Sequence, residues 1–289
     1  MKDRIRAVQF GCGPIGCAVA KLAIQRPNIE LVGAVDIDPG KIGRDLGEVM
    51  GAGKNLGIPI TKDIDGLFAK TKVDVVFHQT SSSLKKVAPE LIHLLGFGVN
   101  IVSTTEELAF PFTTHAELAA EIDKMAKANR ASVLGTGVNP GFLMDSWILF
   151  MTAVCQEVRK VKGVRVQDAR PRRLPFQKKI GAGCTPEQFQ KLVDAGTLRH
   201  VGLTESIAMI ADGLGWRLDD IAESIEPVIA REQVQSSYIT VKPGQASGVR
   251  QVGKGIRGKE EVITLEFEAS LGAPESYDAV YIDGLPNME

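Results

Sequence analysis

The sequence predicts an α/β protein in which an N-terminal doubly wound domain is followed by an α+β domain built on a largely antiparallel sheet. Residues 1 to about 140 alternate short apolar strands with helical stretches, which is the pattern of a parallel sheet covered by helices on both faces. Later strands have one polar face, as where Ile263, Leu265 and Phe267 alternate with polar neighbours. A chain of 289 residues is long for one core, so two domains are expected, 1–140 and 141–289.

The first elements carry the most specific motif. The strand IRAVQF breaks at a turn containing Gly11, Gly13 and Gly16, a helical stretch follows, and the next strand ends at Asp36. This order is typical of a dinucleotide-binding Rossmann unit. The turn, which also includes Pro14 and Ile15, is predicted to bind a pyrophosphate at the helix N-terminus.

Asp36 is predicted to bind the cofactor ribose. It lies twenty residues after Gly16, where a carboxylate accepts hydrogen bonds from both ribose hydroxyls of an adenosine. This favours NAD, because a 2′-phosphate would meet the charge of Asp36. The nearby cations Lys41 and Arg44 leave NADP open.

Composition excludes several classes of protein. The net charge of −1 gives no support for binding nucleic acid or an anionic membrane. The four cysteines form no C-x-x-C pair, and no two histidines are spaced as metal ligands, so we expect neither disulfides nor a metal site. The N-terminus enters a strand directly without a signal peptide, which predicts a cytoplasmic protein. No G-x-S-x-G elbow is present, which argues against a serine hydrolase.

The remaining elements of the first domain place three loops at the carboxyl edge of its sheet, where such sheets bind ligands. Strands are expected at 73–78, 99–103 and 132–135, and helices at 84–95 and 114–128, the second with a capping box of Thr114 and Glu117. The first loop holds Thr80, Ser81 and Ser82, which suit the nicotinamide ribose; alternatively one hydroxyl of this serine-rich loop caps the following helix.

The second loop contains Glu106 and Glu107. One of these carboxylates is predicted to pair with a substrate ammonium and take its proton, and the alternative is a solvated acidic turn at a helix start. The third loop contains Asn139, whose amide suits the nicotinamide carboxamide or the substrate. The alternative is that this loop is a hinge turn between the domains.

In the second domain we expect a strand at 158–166, helices at 186–194, 205–213 and 219–224, and strands at 237–241, 261–269 and 277–282. Thr185 before Pro186 marks the first helix start. Among the histidines, His200 is predicted to face the substrate, His78 and His93 to pack in the interior, and His115 to be exposed. A homodimer through the open face of the second sheet is expected.

Six segments together resemble the 2,4-diaminopentanoate dehydrogenase and native amine dehydrogenase family, a branch of the dihydrodipicolinate-reductase-like enzymes. They are QFGCGPIG, GAVDIDPGKIGRDLGE, STTEELAFP, GTGVNPGF, RRLPFQKKIGAG and HVGLTESIAMIADGLGW. The resemblance implies an NAD(P)-dependent, reversible oxidative deamination of a primary amine, with ammonia and a ketone or aldehyde as products. It implies a catalytic glutamate at Glu106 or Glu107 and a pocket lined by Asn139, Phe142 and Gln251.

The chain departs from that family at two places. It ends before the final strand and helix of the family, so either the protein is compact here or a C-terminal segment is missing. No histidine lies beside Gln251, so its substrate is expected to differ. Two alternative functions stay open at this point. One is a dehydrogenase of the same architecture that acts on an amino acid, a semialdehyde or a cyclic imine, as dihydrodipicolinate reductase does. The other is a catalytically silent nucleotide-binding protein.

Overall fold

The computed structural model describes residues 4–289, and the chain divides into two compact units, which meet in sequence at Gly137 and Val138. Within the first unit, the elements in chain order are β1 (Ile5–Phe10), α1 (Pro14–Ala23), β2 (Ile29–Val35), α2 (Leu46–Val49), β3 (Ile60–Thr61), α3 (Ile64–Lys70), β4 (Val75–His78), α4 (Leu84–Leu95), β5 (Asn100–Ser103), a 3₁₀ helix (Glu106–Leu108), α5 (Ala116–Ala128) and β6 (Val133–Gly135).

The first unit is the predicted doubly wound domain. Its six strands form one parallel sheet in the order β3-β2-β1-β4-β5-β6. Two separate groups of buried apolar side chains pack on it, one including Leu46 and Ile60 and the other including Val76 and Leu91, as expected for a sheet covered on both faces. The strand order reverses between β1 and β4, so the loops after these two strands flank the position where such sheets bind ligands.

A buried polar network holds the loops that follow β4 and β5. The ring of His78 is fully buried, with Nε2 2.8 Å from Glu90 Oε2 and Nδ1 2.9 Å from Ser103 Oγ. Because a carboxylate oxygen accepts the bond, Nε2 carries a proton. Ser103 Oγ donates its one proton to Thr105 Oγ1 at 3.0 Å, and Thr105 Oγ1 donates to the Ser81 carbonyl at 2.9 Å. The network therefore ties the loop containing Ser81 to the loop that leads into the 3₁₀ helix.

The second unit contains α6 (Ser146–Thr152), β7 (Glu157–Asp168), α7 (Leu174–Lys179), α8 (Pro186–Asp194), α9 (Leu203–Gly213), β8 (Asp220–Ile229), β9 (Val234–Gln235), β10 (Thr240–Val241), β11 (Ala246–Arg257), β12 (Glu260–Ser270) and β13 (Tyr277–Leu285). Five of these strands form a sheet in the order β13-β7-β12-β11-β8, in which only β7 and β12 are parallel. This is the predicted α+β domain with a largely antiparallel sheet.

Helix α9 packs closely on the centre of this sheet. A Cβ atom at Gly253 of β11 would come within 2.8 Å of Ile207 Cδ1, so the glycine allows the helix to approach the strand. Ile207, Ile210 and Phe189 are fully buried in the resulting core. The opposite face of the sheet is charged, with ion pairs such as Lys162–Glu266 at 2.7 Å, in agreement with the wet face expected from the alternation in β12.

Several sequence predictions were wrong. Residues 219–224 were expected to be helical, but they lie in and beside β8, because pairing with β11 overrides the helical propensity of Ala222 and Glu223. The capping box of Thr114 does not form: α5 begins after His115, which makes no side-chain cap. The long strand β11 was missed, and of the strand expected at 237–241 only Thr240–Val241 forms. The helix start predicted at Thr185 and Pro186 is confirmed: Thr185 is the N-cap residue of α8 and forms a capping box with Gln188.

No helix within residues 4–289 is long and apolar enough to cross a membrane.

We predict that the Glu90 carboxylate stabilises the fold in a pH-dependent way. Its burial opposes ionisation, but hydrogen bonds from His78 and Thr80 outweigh that effect and hold the pKa of Glu90 below the ordinary 4.5. A depressed pKa contributes stability above about pH 4.5, and this contribution is lost as the pH falls through the lower folded-state value. Glu90→Gln should therefore lower the free energy of unfolding at pH 7, and the difference from wild type should shrink below pH 4.5 in urea titrations.

The exposed Glu121 of α5, which forms no ion pair in the described chain, is the matched control. Glu121→Gln should leave the free energy of unfolding unchanged at both pH values. Equal behaviour of the two variants would show that the network around His78 does not stabilise the fold.

Candidate functional site

The glycine-rich turn after β1 is shaped by two close backbone contacts. Gly11 has a φ of +88°, and a Cβ atom there would collide with the Gln79 carbonyl oxygen. A Cβ atom at Gly16 would collide with the Gly11 carbonyl oxygen. Gly13 differs, because nothing lies within 4 Å of the position its Cβ would take. The turn is thus packed on the sheet at Gly11 and Gly16 and open at Gly13.

Helix α1 begins at the open side of this turn. Gly13 is its N-cap residue, with no capping side chain and no acidic residue in the first turn. Pro14 is its first residue, and Ile15 is 55% exposed. The first N–H groups of a helix lack acceptors within the helix, and its N-terminus carries partial positive charge. The sequence-predicted Gly11–Gly16 segment therefore presents the features of an anion-binding turn.

Gln9 was missed by the sequence reasoning. This residue of β1 is fully buried, and its Nε2 donates to the Gly11 carbonyl at 2.9 Å and to Gln79 Oε1 at 2.6 Å. It therefore connects the loops after β1 and β4 on the two sides of the strand-order reversal. A glutamine within the apolar run Ala7–Phe10 was the available signal.

Asp36 lies directly after β2, beside the glycine turn. Its Oδ2 accepts from Cys12 N at 2.7 Å and from Lys41 Nζ at 3.1 Å, and its Oδ1 accepts from Asp38 N at 2.8 Å. Burial opposes ionisation, but the backbone N–H groups of Asp38 and Cys12 and the Lys41 ammonium outweigh it, so the pKa of Asp36 is lowered. The carboxylate is thus ionised and fixed at the edge of the turn.

The hydroxyl-rich loop after β4 is partly committed to structure. Thr80 Oγ1 donates to Glu90 Oε2 at 2.8 Å, and Ser81 Oγ accepts from Ser83 N at 3.3 Å. The Ser82 hydroxyl forms no hydrogen bond to any residue in the range 4–289. The expectation that a serine caps α4 was wrong: Ser83 is the N-cap residue, but its side chain makes no capping bond.

The Glu107 carboxylate caps α4 instead. Its Oε2 accepts from Leu84 N at 2.7 Å and lies 3.1 Å from His115 Nε2. His115 was expected to be exposed, but its side chain is only 10% exposed, because this contact draws the ring against the loop. Glu107 therefore has a structural partner on each side.

Glu106 has a different environment. It is half-buried in the first turn of the 3₁₀ helix, and within the described chain its carboxylate has neither a hydrogen bond nor an ion pair. The two adjacent glutamates thus differ in availability. The Glu106 carboxylate is free to bind a ligand, whereas that of Glu107 is occupied.

The other predicted site residues lie in the second unit. Asn139 Nδ2 is 3.3 Å from His200 Nε2 and 3.2 Å from Met144 Sδ, and Phe142 is 53% exposed. Gln251 does not line a pocket: it is fully buried and grips the backbone of His200, accepting from its N–H at 2.7 Å and donating to its carbonyl at 2.8 Å. Burial and the nearby cations Lys179 and Arg165 lower the pKa of His200 to about 4.

The described residues contain no cluster of His, Cys, Asp and Glu suited to a metal ion, and all four cysteines are free. The set Glu90, His78 and Ser103 contains the residue types of a hydrolase triad, but Ser103 is fully buried. It cannot act as an exposed nucleophile.

The structure therefore groups the predicted residues into two sets. At the carboxyl edge of the first sheet lie the Gly11–Gly16 turn, Asp36, the loop of Thr80, Ser81 and Ser82, and the 3₁₀ helix with Glu106 and Glu107. In the second unit, Asn139, His200 and Gln251 form one hydrogen-bonded group.

Each of the two units matches the model of a known protein family. Residues 142–289 match the model of the 2,4-diaminopentanoate dehydrogenase C-terminal domain, and residues 5–107 match that of the dihydrodipicolinate reductase N-terminus. The chain is 32% identical to the 2,4-diaminopentanoate dehydrogenase of Acetoanaerobium sticklandii, over 99% of this chain and 83% of that protein.

Solved structures show the same fold. The structure of an amine dehydrogenase from Mycobacterium smegmatis matches with a TM-score of 0.84 at 24% identity, over 99% of this chain and 86% of that one. GenD2 from gentamicin A biosynthesis, solved in complex with NAD, matches with a TM-score of 0.54 at 15% identity, over 98% of this chain and 71% of that one. The family predicted from the motifs is confirmed: the chain belongs to the 2,4-diaminopentanoate dehydrogenase family, whose named members are oxidoreductases acting on CH–NH2 donors.

Proposed function

We propose that this protein is an NAD(P)-dependent amine dehydrogenase that oxidises a primary amine to a ketone or aldehyde and ammonia, and catalyses the reverse reductive amination. The observation that carries the proposal is the unpaired, half-buried carboxylate of Glu106 at the carboxyl edge of the parallel sheet. A carboxylate without a protein partner suits a cationic ligand such as an ammonium group.

The residues at the glycine turn fit a dinucleotide. The open space at Gly13 leaves room for phosphates to approach the backbone, and the uncapped start of α1 offers N–H donors to them. Asp36 would accept from the adenosine ribose, and Thr80, Ser81 and Ser82 lie in the loop on the other side of the strand-order reversal. Asn139 is a further candidate for the cofactor. When bound, the nicotinamide supplies hydride-accepting chemistry.

We propose NAD as the preferred form, because Asp36 is ionised and repels a 2′-phosphate. Lys41 is already paired with Asp36 at 3.1 Å, and Arg44 with Glu48 at 2.7 Å. Use of NADP would require Lys41 to exchange this partner for the phosphate.

Glu106 has two tasks in this proposal. Its charge orients the substrate ammonium, and it then takes one proton, so that the nitrogen lone pair can assist loss of hydride from the neighbouring carbon. Water adds to the resulting iminium, and ammonia leaves. Glu107 acts as a positioning residue, because its bonds to Leu84 N and His115 hold the 3₁₀ turn that carries Glu106. The homodimer and the cytoplasmic location stay predictions.

The adjacent glutamates give a direct mutational test. Glu106→Gln should lower turnover of short aliphatic amines or 2,4-diaminopentanoate at least about a hundredfold, the usual contribution of a general acid–base, and leave NADH binding intact. Glu107→Gln keeps an acceptor for Leu84 N but loses its charge opposite His115. It should lower the free energy of unfolding by about 1 kcal/mol and largely retain turnover. Absorbance of NADH at steady state and thermal denaturation provide the readouts. Loss of turnover in Glu107→Gln alone would reverse the assignment.

Two glycine variants separate cofactor binding from folding. Gly13→Ala places a methyl group in open space, so the fold should be unaffected while the Kd for NADH rises at least about tenfold, because phosphates can no longer approach the backbone. Gly16→Ala forces a contact with the Gly11 carbonyl and should destabilise the fold by about 1–3 kcal/mol. Fluorescence titration with NADH and thermal denaturation measure the two effects. Unchanged NADH affinity in Gly13→Ala would exclude the turn as the phosphate site.

A further inference from the structure

His78 is a fully buried titratable residue that the proposed reaction does not use. It is the last residue of β4, and its ring bonds to side chains of Glu90, Thr80 and Ser103. Phe10 of β1 stacks on the ring, with centroids 5.4 Å apart. Glu90 of α4 is the one charged side chain bonded to the ring in the described chain. Because a buried charge is costly without bonded partners, the protons on these atoms decide which form the ring takes.

The hydroxyl protons near Nδ1 point away from the ring. The Ser81 carbonyl can only accept, so the single hydroxyl proton of Thr105 lies in the 2.9 Å bond to that carbonyl. Thr105 Oγ1 therefore accepts from Ser103, whose own proton lies in their 3.0 Å bond. With its proton used in this way, Ser103 Oγ can only accept from His78 Nδ1 at 2.9 Å, as it does from Thr105 N at 3.1 Å. Nδ1 thus carries a proton.

Nε2 carries a proton as well. Thr80 donates its hydroxyl proton to Glu90 Oε2 at 2.8 Å, so both oxygens near Nε2 are acceptors, Glu90 Oε2 at 2.8 Å and Thr80 Oγ1 at 3.2 Å. Burial opposes ionisation of Glu90, but the bonds from His78 and Thr80 outweigh it and lower the pKa of this carboxyl. A ring with a proton on each nitrogen is an imidazolium cation, and the Glu90 carboxylate balances its charge.

The hydrogen bonds that leave Nδ1 form a chain with one direction. It runs from the ring through Ser103 and Thr105 and ends at the Ser81 carbonyl. Ser81 lies in the loop proposed to bind the nicotinamide ribose, and Thr105 is the N-cap residue of the 3₁₀ helix that begins at Glu106. A neutral ring without a proton on Nδ1 would accept the Ser103 proton, and Thr105 Oγ1 would then lose its donor. The complete chain therefore requires both ring protons.

We infer that His78 is a positioning residue, whose imidazolium form directs this chain and so holds the loop of Ser81 in place for the cofactor. Ser103 and Thr105 transmit its effect. The inference deepens the proposed function and rests on it for the identity of the ligand, but the ring protons can be measured without any ligand.

The first test counts the protons on the His78 ring by ¹⁵N NMR of the full chain at about pH 7.5. A ring nitrogen without a proton resonates well downfield of one that carries a proton, and the signals are assigned by replacing each histidine in turn. Both nitrogens of His78 should carry protons in the wild type, whereas free histidine is mostly neutral at this pH.

A variant that does not touch the ring should change this result. Thr105→Val releases the Ser103 proton to Nδ1, so the ratio of doubly to singly protonated His78 should fall about fivefold or more, the equivalent of one hydrogen bond. Thr104 is the matched control, because its hydroxyl forms no hydrogen bond within residues 4–289. Thr104→Val should leave the ratio unchanged.

The second test measures the Kd for NADH by fluorescence titration. Thr105→Val loses the bond to the Ser81 carbonyl and should raise the Kd about fivefold or more, and Thr105→Ser, which keeps the hydroxyl, should restore the wild-type value. Glu90→Gln removes the charge that balances the ring, so it should lower the proton ratio and raise the Kd together, and Glu121→Gln should change neither.

These measurements separate the inference from the proposed function. If the wild type binds NADH but oxidises no amine, the proposed function fails, and the comparison of Kd values still decides the inference. The inference is overturned if wild-type His78 carries a single ring proton, if the two threonine-to-valine variants have the same proton ratio, or if Thr105→Val keeps the wild-type Kd.

Discussion

The Glu107 carboxylate is the contact on which the candidate active site depends. By accepting from Leu84 N and pairing with His115, it joins the start of α4, the 3₁₀ turn after β5 and the residue before α5. Hydrogen bonds to a charged group contribute about 1.5–3 kcal/mol, enough to hold a three-residue turn in one conformation. Because Glu107 is occupied in this way, the adjacent Glu106 is held half-buried with a carboxylate that has no partner in the described chain. One residue of the pair thus orders the loop, and the carboxylate of its neighbour, which we propose as the catalytic group, has no partner in the described chain.

Along the sheet edge, other groups likewise either hold the loops in place or are left without a protein partner. Gln9 and the network of His78, Glu90 and Ser103 hold the loops after β1, β4 and β5 through buried hydrogen bonds. Gly13 and the start of α1 are left without capping side chains. In the second unit, Gln251 orders the backbone of His200 and the ring retains an unpaired donor. The free groups of the first unit suit phosphates and an ammonium group.

Local patterns in the sequence predicted the parts of the site that depend on contacts between residues close in sequence. The Gly11–Gly16 turn and Asp36 follow from the close backbone contacts that a strand–helix–strand unit needs, and the Thr185 cap follows from its own first turn. The role of Glu107 was not predictable, since its partner Leu84 is 23 residues away. His115 was placed at the surface for the same reason. Residues 219–224, which include the first half of β8, were taken for a helix because the pairing of β8 with β11 is not encoded in its own residues.

The most direct test is a crystal structure of the full chain in the unreactive complex with NADH and 2,4-diaminopentanoate, in which both ligands are already reduced. The expected result is that the nucleotide phosphates lie over Gly13, that an ammonium nitrogen of the amine lies within about 2.6–3.2 Å of the Glu106 carboxylate, and that Glu107 still accepts from Leu84 N. A nucleotide bound away from the glycine turn, or an amine that contacts Glu107 while Glu106 faces bulk water, would contradict it.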